Sequence, residues 1–141
     1  MSKWKMVLVG VDGSPPSRAA LRWAAEEAEQ HGCDLVAVNV WAPVMPSVGA
    51  VTAPRKLPDR AGDATTLLLQ AITDELGENP PVKVQPRVIS GNAAKVLIEL
   101  SAEADLLVVG NRGHGGFIGL LLGSVSQQVV SHGQCTVSVV R

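Results

Sequence analysis

The chain has 141 residues, of which 46% are hydrophobic, enough for one ordinary domain with a hydrophobic core. The formal net charge is −1, no basic run or acidic tail is present, and the aromatic residues are three Trp and one Phe. This composition argues against disorder, against nucleic-acid binding driven by charge, and against a surface on which bases stack.

The first part of the chain predicts a strand, a helix and a second strand. Lys5–Val11 is a short apolar run typical of a buried strand. Ser14–Pro15 is typical of a helix N-terminus, and His31–Gly32 of a helix C-terminus, because glycine readily ends a helix. Asp34–Trp41 is a second apolar run and predicts the next strand.

The middle of the chain predicts a long loop followed by a helix and a strand. Residues 42–59 contain four prolines, which favour a loop. A helix is predicted over Arg60–Leu76 and a third strand over Val82–Ile89. Pro86 indicates that this strand lies at a sheet edge, because proline cannot donate to a β-ladder. Asn92 predicts the N-cap of a third helix.

The last part of the chain completes an alternating pattern. Asp105–Val109 predicts a fourth strand, a helix begins at Ser124 with Gln127 at the spacing of a capping box, and Thr136–Val140 predicts a fifth strand. Alternating helices and nearly continuous apolar strands predict an α/β fold in three layers. The expected architecture is a doubly wound, Rossmann-like parallel sheet of five strands, forming a single domain over residues 1–141.

A ligand site is expected at the carboxyl ends of the strands. Doubly wound sheets bind ligands there, at the point where the strand order changes direction. The first strand ends at Gly10, Val11 and Asp12, and the fourth ends at Val109 and Gly110. Periodicity does not give the strand order. If the order is 3-2-1-4-5, both segments meet at this point and form one site.

The loop GNRGHGGFIGLLLGS runs from Gly110 to Ser124, and six of its fifteen residues are glycine. Gly110 and Gly113 would let backbone N–H groups approach a phosphate closely. The helix that begins at Ser124 would attract an anion to its N-terminus. The Ser126 hydroxyl would add a hydrogen bond, and Arg112 a positive charge.

Other side chains near this loop have both a binding and a structural interpretation. Asp12 would accept hydrogen bonds from ribose hydroxyls or hold a metal at a polyphosphate, or it merely shapes a turn. Ser124 contacts an anion or only caps a helix. Arg112 and His114 are ligand contacts or solvated loop residues. Phe117–Leu122 is expected to be buried under the loop or against a partner.

Motifs of other protein classes are absent. The sequence contains no P-loop pattern GxxxxGK[ST], no GxGxxG fingerprint after the first strand, no GxSxG elbow and no metal-site spacing of histidines and cysteines. GVDGS after the first strand is a poor match to the SGGxDS-type loop of ATP-pyrophosphatase-like ligases. A flavodoxin-like carrier is disfavoured because few aromatic side chains are available to flank a flavin.

These residues resemble the universal stress protein family over essentially the whole chain. The most specific sign is the G-x2-G-x9-G-[S/T] pattern of its nucleotide-binding branch, met by Gly110, Gly113, Gly123 and Ser124. VLVGVDGS, ADLLVVGNRGHGG and LLLGSVSQQV match in register with that pattern. The chain departs from many relatives where CTV replaces Cys-Pro-Val before the last strand, which lies away from the expected site.

The resemblance implies a sheet of order 3-2-1-4-5 that binds ATP, with Mg²⁺ or Mn²⁺ at the phosphates. It places Asp12 at the ribose and the backbone of Val40 at adenine. The implied nucleotide-binding residues are Gly10, Val11, Asp12, Val40, Val109, Gly110, Arg112, Gly113, Gly123, Ser124, Val125 and Ser126.

Assembly and location are expectations of the same kind. The last strand, TVSVV, would lie at a sheet edge that invites a partner strand, and family members commonly dimerise there, so a C2 homodimer is expected. The N-terminal segment lacks the apolar stretch and cleavage site of a signal peptide, and no apolar run approaches roughly 18 residues. Cys33 and Cys135 form no CxxC motif. We therefore expect a cytoplasmic protein with free thiols and no membrane span.

Two functions fit these expectations. The first is an ATP-responsive stress regulator whose nucleotide state is sensed by an unidentified protein partner. The second is a weak ATPase or phosphotransfer enzyme on the same fold. Phosphoryl transfer needs concentrated positive charge and a positioned base, for which the sequence offers Arg112, His114 and Asp12. Binding is therefore favoured over catalysis.

Overall fold

Strands and helices alternate along the described part of the chain. The computed structural model describes residues 3–42, 60–113 and 122–141. The elements are, in chain order, β1 (Met6–Gly10), α1 (Pro15–His31), β2 (Asp34–Trp41), α2 (Arg60–Leu76), β3 (Val84–Ser90), α3 (Ala93–Ser101), β4 (Leu106–Gly110), α4 (Ser124–His132) and β5 (Thr136–Val140).

The strands form one parallel sheet of order β3-β2-β1-β4-β5, which confirms the predicted fold and strand order. β1 lies at the centre, and its Val9 pairs with Ala37 of β2 on one side and with Val108 of β4 on the other. The chain moves outward from β1 to β2 and β3, and then from β4 to β5 in the opposite direction. The strand order therefore changes direction between β1 and β4.

Helices cover both faces of the sheet, as predicted. On one face, α1 and α2 pack against strand residues such as Val7 and Val108. On the other face, α3 and α4 pack against residues such as Leu8 and Leu107. All four of these strand side chains are at most 1% exposed. The central strands are apolar at successive positions because both of their faces are buried.

Two helices begin with the side-chain caps that the sequence predicts. Ser14 caps α1 by accepting a hydrogen bond from the Ser17 N–H, and Asn92 caps α3 by accepting one from the Lys95 N–H. The predicted end of α1 is also confirmed, because Gly32 adopts the left-handed conformation there.

The start of α4 differs from its prediction. Its N-cap is Gly123, which has no side chain, and no side-chain hydrogen bond caps the helix. Ser124 is already the first helical residue, so the expected capping box with Gln127 does not form. The Gln127 side-chain amide instead donates to the Leu122 carbonyl oxygen at 3.4 Å.

Strand boundaries differ from the predictions by one or two residues. β1 was predicted to begin at Lys5 and β4 at Asp105. One carboxylate oxygen of Asp105 accepts hydrogen bonds from the backbone N–H groups of Lys5 (2.7 Å) and Met6 (3.1 Å), so this end of β1 is bound by a side chain. β3 begins at Val84 rather than Val82, because its pairing with β2 starts at Leu35.

The two edge strands present different outer edges. β3 is an edge strand, as Pro86 predicted. The Lys83 carbonyl accepts from the Leu35 N–H, and since hydrogen-bonding direction alternates along a strand, the Pro86 nitrogen faces away from β2. On β5, the Val140 carbonyl accepts from the Asn111 N–H, so the N–H and C=O groups of Val139 face outward.

Three sequence predictions fall outside the described residues: most of the proline-rich loop (43–59), the position of His114, and residues 117–121 of the apolar stretch. Cys33 and Cys135 are both free thiols, as expected. Among the helices that the structure describes, none has the length and hydropathy needed to cross a membrane.

Candidate functional site

A cavity of about 300 Å³ opens at the carboxyl end of the sheet, beside the point where the strand order changes direction. This position and volume are typical of a small-molecule site. Every residue of the predicted set lines it: Gly10, Val11, Asp12, Val40, Val109, Gly110, Arg112, Gly113, Gly123, Ser124, Val125 and Ser126. Ser17, Val38, Ala93 and Leu97 complete the lining.

Val40 lies where β2 extends past the end of β1. The Val11 N–H donates to the Val38 carbonyl at 2.8 Å, and β1 pairs with β2 only as far as Gly10. Because hydrogen-bonding direction alternates, the N–H and C=O of Val40 also face the β1 side of the strand. No described residue forms a backbone hydrogen bond with Val40 on that side. Its peptide groups can therefore donate to and accept from a planar heterocycle.

The turn between β1 and α1 holds the Asp12 carboxylate in one orientation. Asp12 Oδ1 accepts hydrogen bonds from the Ser14 N–H at 2.9 Å and the Ser14 hydroxyl at 2.5 Å. The Asp12 N–H donates to Ser17 Oγ at 3.2 Å. Both serines are buried, at 4% exposure. Asp12 therefore shapes the turn, as one interpretation of the sequence expected, and also lines the cavity.

Two glycines of the loop motif lie against neighbouring segments. A Cβ atom on Gly110 would lie 2.7 Å from the backbone carbon of Pro16, at the start of α1. A Cβ atom on Gly113 would lie 2.5 Å from Asp12 Oδ2. Both distances are shorter than the van der Waals contact distance between the two atoms. Whether or not these glycines let a phosphate approach the backbone, as the sequence predicts, each makes room for a protein group.

The N-terminus of α4 lies in the cavity wall and has the geometry of an anion-binding site. The first N–H that bonds back along this helix is that of Gln127, which donates to the Gly123 carbonyl at 3.0 Å. Within the described residues, the N–H groups of Ser124, Val125 and Ser126 have no acceptor. Such groups at a helix N-terminus are donors for an anion and are reinforced by the helix dipole.

The Ser126 hydroxyl has a protein acceptor. It donates to the Gly110 carbonyl at 2.6 Å, and Ser126 is 4% exposed. The expected hydrogen bond from this hydroxyl to a phosphate is therefore not available while the proton is engaged in this way. The backbone N–H of Ser126 remains without an acceptor among the described residues.

Opposite charges lie in the cavity lining. Asp12 and Arg112 are its charged side chains among the described residues. Arg112 is half-buried and forms no ion pair with a described carboxylate. An anionic ligand near Arg112 would therefore not need to displace a carboxylate of the described chain.

Several residues of the site were missed from the sequence. Leu97 was assigned to the apolar face of a helix. The periodicity that predicts such a face does not distinguish a residue that packs in the core from one that lines a cavity. Ala93 follows the predicted N-cap Asn92, just after β3 ends. Its place at the carboxyl end of a strand could therefore have predicted that it lines the site. Asn39 is not part of the lining, but its buried side-chain amide donates from Nδ2 to the carbonyl of Val11, a lining residue, at 2.8 Å.

The chain belongs to the universal stress protein family, whose family model matches residues 3–141. A universal stress protein of Mycolicibacterium smegmatis is 41% identical over 137 residues, covering 96% of this chain and 45% of that protein. The chain therefore spans less than half the length of this curated relative.

Solved structures of the family share the fold. A universal stress protein crystallised in complex with cAMP is 28% identical, with a TM-score of 0.74 over 99% of this chain and 98% of that one. UspA from Lactobacillus plantarum has a TM-score of 0.77 over the full length of both chains, at 21% identity.

Proposed function

We propose that this universal stress protein binds ATP and acts as a nucleotide-dependent regulator of a stress response. The observation that supports this most directly is the start of α4. Its N-terminal N–H groups lack acceptors in the described chain and line the same cavity as the backbone of Val40 and the carboxylate of Asp12. The cavity thus offers separate groups for a base, a sugar and a phosphate chain.

Adenine would occupy the apolar end of the cavity. Val38, Val40 and Leu97 are apolar residues of the cavity lining, and the peptide groups of Val40 on the β1 side would provide a donor and an acceptor for the base. The related protein that was crystallised with cAMP, an adenine nucleotide, supports this assignment. Backbone recognition would make the affinity depend on the base and tolerate substitutions of the Val40 side chain.

The ribose and phosphates would follow toward α4. Asp12 would accept hydrogen bonds from the ribose hydroxyls. The N–H groups of Ser124–Ser126 and the guanidinium of Arg112 would bind the phosphates. Gly10, Val11, Val109, Gly110, Gly113 and Gly123 would form the backbone walls.

Mg²⁺ or Mn²⁺ would enter together with the nucleotide. Within the described residues, no three His, Cys, Asp or Glu side chains are close enough to hold a metal ion by themselves. Asp12 is a carboxylate in the cavity, and Mg²⁺ is commonly held by one or two carboxylates together with substrate phosphates. These residues fit a metal that is bound mainly by the phosphates.

Regulation is favoured over catalysis. In the described lining, Arg112 is the positively charged side chain and Asp12 the carboxylate, and Asp12 is already hydrogen-bonded to Ser14. Rapid phosphoryl transfer uses more positive charge and a base that orients the attacking group. We expect hydrolysis to be slow at most, so that the bound nucleotide acts as a signal for a protein partner.

We further propose a cytoplasmic homodimer formed through β5. Its outward N–H and C=O groups can pair with the same strand of a second copy across a two-fold axis. Pro86 makes the opposite edge of the sheet less suitable for pairing.

The proposed function is tested by calorimetric titration of nucleotide-free protein with ATP and Mg²⁺. We expect micromolar binding of ATP, weaker binding of adenosine and no comparable binding of GTP. The Asp12→Ala variant should bind ATP more weakly. Absence of ATP binding in a folded sample would refute the proposal. Multiple-turnover phosphate release that Asp12→Ala abolishes would favour the enzyme instead.

A further inference from the structure

We propose that Gly113 is a positioning residue for the Asp12 carboxylate, and that its missing side chain serves ribose recognition rather than the approach of a phosphate. This inference rests on the proposed function, and it assigns to one glycine of the loop a role at the sugar of the nucleotide.

The geometry at Gly113 points to Asp12. A Cβ atom there would lie 2.5 Å from Asp12 Oδ2 and 3.7 Å from its Cγ, and apart from the adjacent residues of the chain no other described atom lies within 4 Å. Gly113 does not have a positive φ, so its backbone conformation would accept an L side chain. Within the described part of the chain, the contact with Asp12 is therefore the steric reason for glycine at this position.

The carboxylate cannot move aside without losing hydrogen bonds. Its Oδ1 accepts from both the N–H and the hydroxyl of Ser14, and the Asp12 N–H is held by Ser17. Rotation that carries Oδ2 away from a new methyl group would also rotate Oδ1 out of its bonds to Ser14. A methyl group at position 113 therefore forces the carboxylate into a different orientation.

The other glycines of the motif have different surroundings. A Cβ atom on Gly123 would lie no closer than 3.4 Å to a described atom, which is ordinary contact. A Cβ atom on Gly110 would meet the backbone of Pro16, so that glycine lets β4 approach α1. Of these three glycines, Gly113 is therefore the one at which a Cβ atom would contact the Asp12 carboxylate.

The proposal predicts that Gly113→Ala acts on sugar recognition. Wild type should prefer AMP to 2′,3′-dideoxy-AMP by about tenfold or more, because a hydrogen bond to a charged group is lost. Gly113→Ala should reduce this ratio toward one. In the Asp12→Ala background the ratio should already be near one, and Gly113→Ala should not change it. A Gly113→Ala variant that keeps the wild-type ratio but loses affinity for ATP relative to AMP would overturn the proposal.

A second measurement needs no nucleotide. Urea unfolding of wild type, Asp12→Ala, Gly113→Ala and the double variant forms a double-mutant cycle. We expect Gly113→Ala to lower the urea midpoint in wild type and to have little effect once Asp12 is alanine. In an Asp12→Asn background, which keeps the shape of the side chain, Gly113→Ala should still lower the midpoint.

These measurements separate the two proposals. Wild type that binds neither ATP nor AMP would refute the proposed function, while the unfolding cycle would still decide whether Gly113 positions Asp12. Additive shifts of the urea midpoint would overturn the positioning role even if ATP binds.

Discussion

The hydroxyl of Ser126, in the first turn of α4, donates a 2.6 Å hydrogen bond to the carbonyl oxygen of Gly110, the last residue of β4. Both residues are buried. The bond joins the N-terminus of α4 to the strand end beside it. The position of the N–H groups at the start of α4 therefore depends on a side chain whose proton is donated to a carbonyl oxygen of the protein.

Ser126→Ala should destabilise the protein by about 1–3 kcal/mol, because the buried Gly110 carbonyl would lose its donor. The measurement is urea unfolding of the ligand-free protein. Ser124→Ala is the matched control, since Ser124 is an exposed serine of the same turn with no side-chain hydrogen bond to a described residue. We expect that control to stay within about 0.5 kcal/mol of wild type. Equal stability of both variants would mean that the hydrogen bond contributes little.

Ser124→Pro should weaken ATP binding by removing one backbone N–H from the anion-binding turn. Proline is favoured at the first position of a helix, and Gly123 before it is already extended (φ −73°, ψ 169°), as a residue preceding proline requires. Relative to Ser124→Ala, which removes only the hydroxyl, we expect about tenfold weaker ATP binding. Adenosine binding should be unchanged. Calorimetry that gives the same ATP affinity for both variants would place the phosphates elsewhere.

Val139→Pro should convert the proposed dimer to a monomer. The N–H of Val139 faces away from β4, so the substitution removes a donor from the outer edge and leaves the β4–β5 ladder intact. Val139→Ala controls for the lost side chain and should remain dimeric. Sedimentation velocity distinguishes the two states. A dimeric Val139→Pro variant would indicate an interface at another surface.

The two thiols should react slowly with alkylating reagents at neutral pH. Burial raises the pKa of the Cys33 thiol, and the carboxylates of Asp105 and Asp34 raise it further. Burial likewise raises the pKa of Cys135. Because the thiolate is the reactive form, the alkylation rate should rise only at a pH above that at which free cysteine reacts. Cys135 is the less buried residue and should be modified first. Mass spectrometry of single Cys→Ser variants would assign each rate, and rapid reaction at neutral pH would contradict the expectation.

The elements and their alternation were predictable because the apolar runs are continuous where a strand is buried on both faces. Their order in the sheet was not predictable from periodicity. β3 and β4 are consecutive in the chain but are separated in the sheet by β2 and β1. That order came from the family resemblance. The start of β1 was displaced where the side chain of Asp105 accepts hydrogen bonds from the backbone N–H groups of Lys5 and Met6.

The sequence predicted residues that line the candidate site, but it did not predict the contacts among them. Glycine at positions 110 and 113 indicated that space was needed, whereas the groups that use this space, Pro16 and Asp12, belong to a distant segment of the chain. A serine near a helix N-terminus predicts a polar contact, but it does not say whether its proton goes to a ligand or, as in Ser126, to a carbonyl. Such choices depend on tertiary distances that no local pattern contains.

Pro86 limits how far the sheet can grow. Two copies joined through β5 would form one continuous ten-stranded sheet, and both of its outer strands would then be β3. Each outer edge would present a proline nitrogen where a third copy would need a donor. The β5 edge, which favours pairing, would already be paired in the dimer. A protein that accumulates to high concentration would in this way form pairs without extending into fibres.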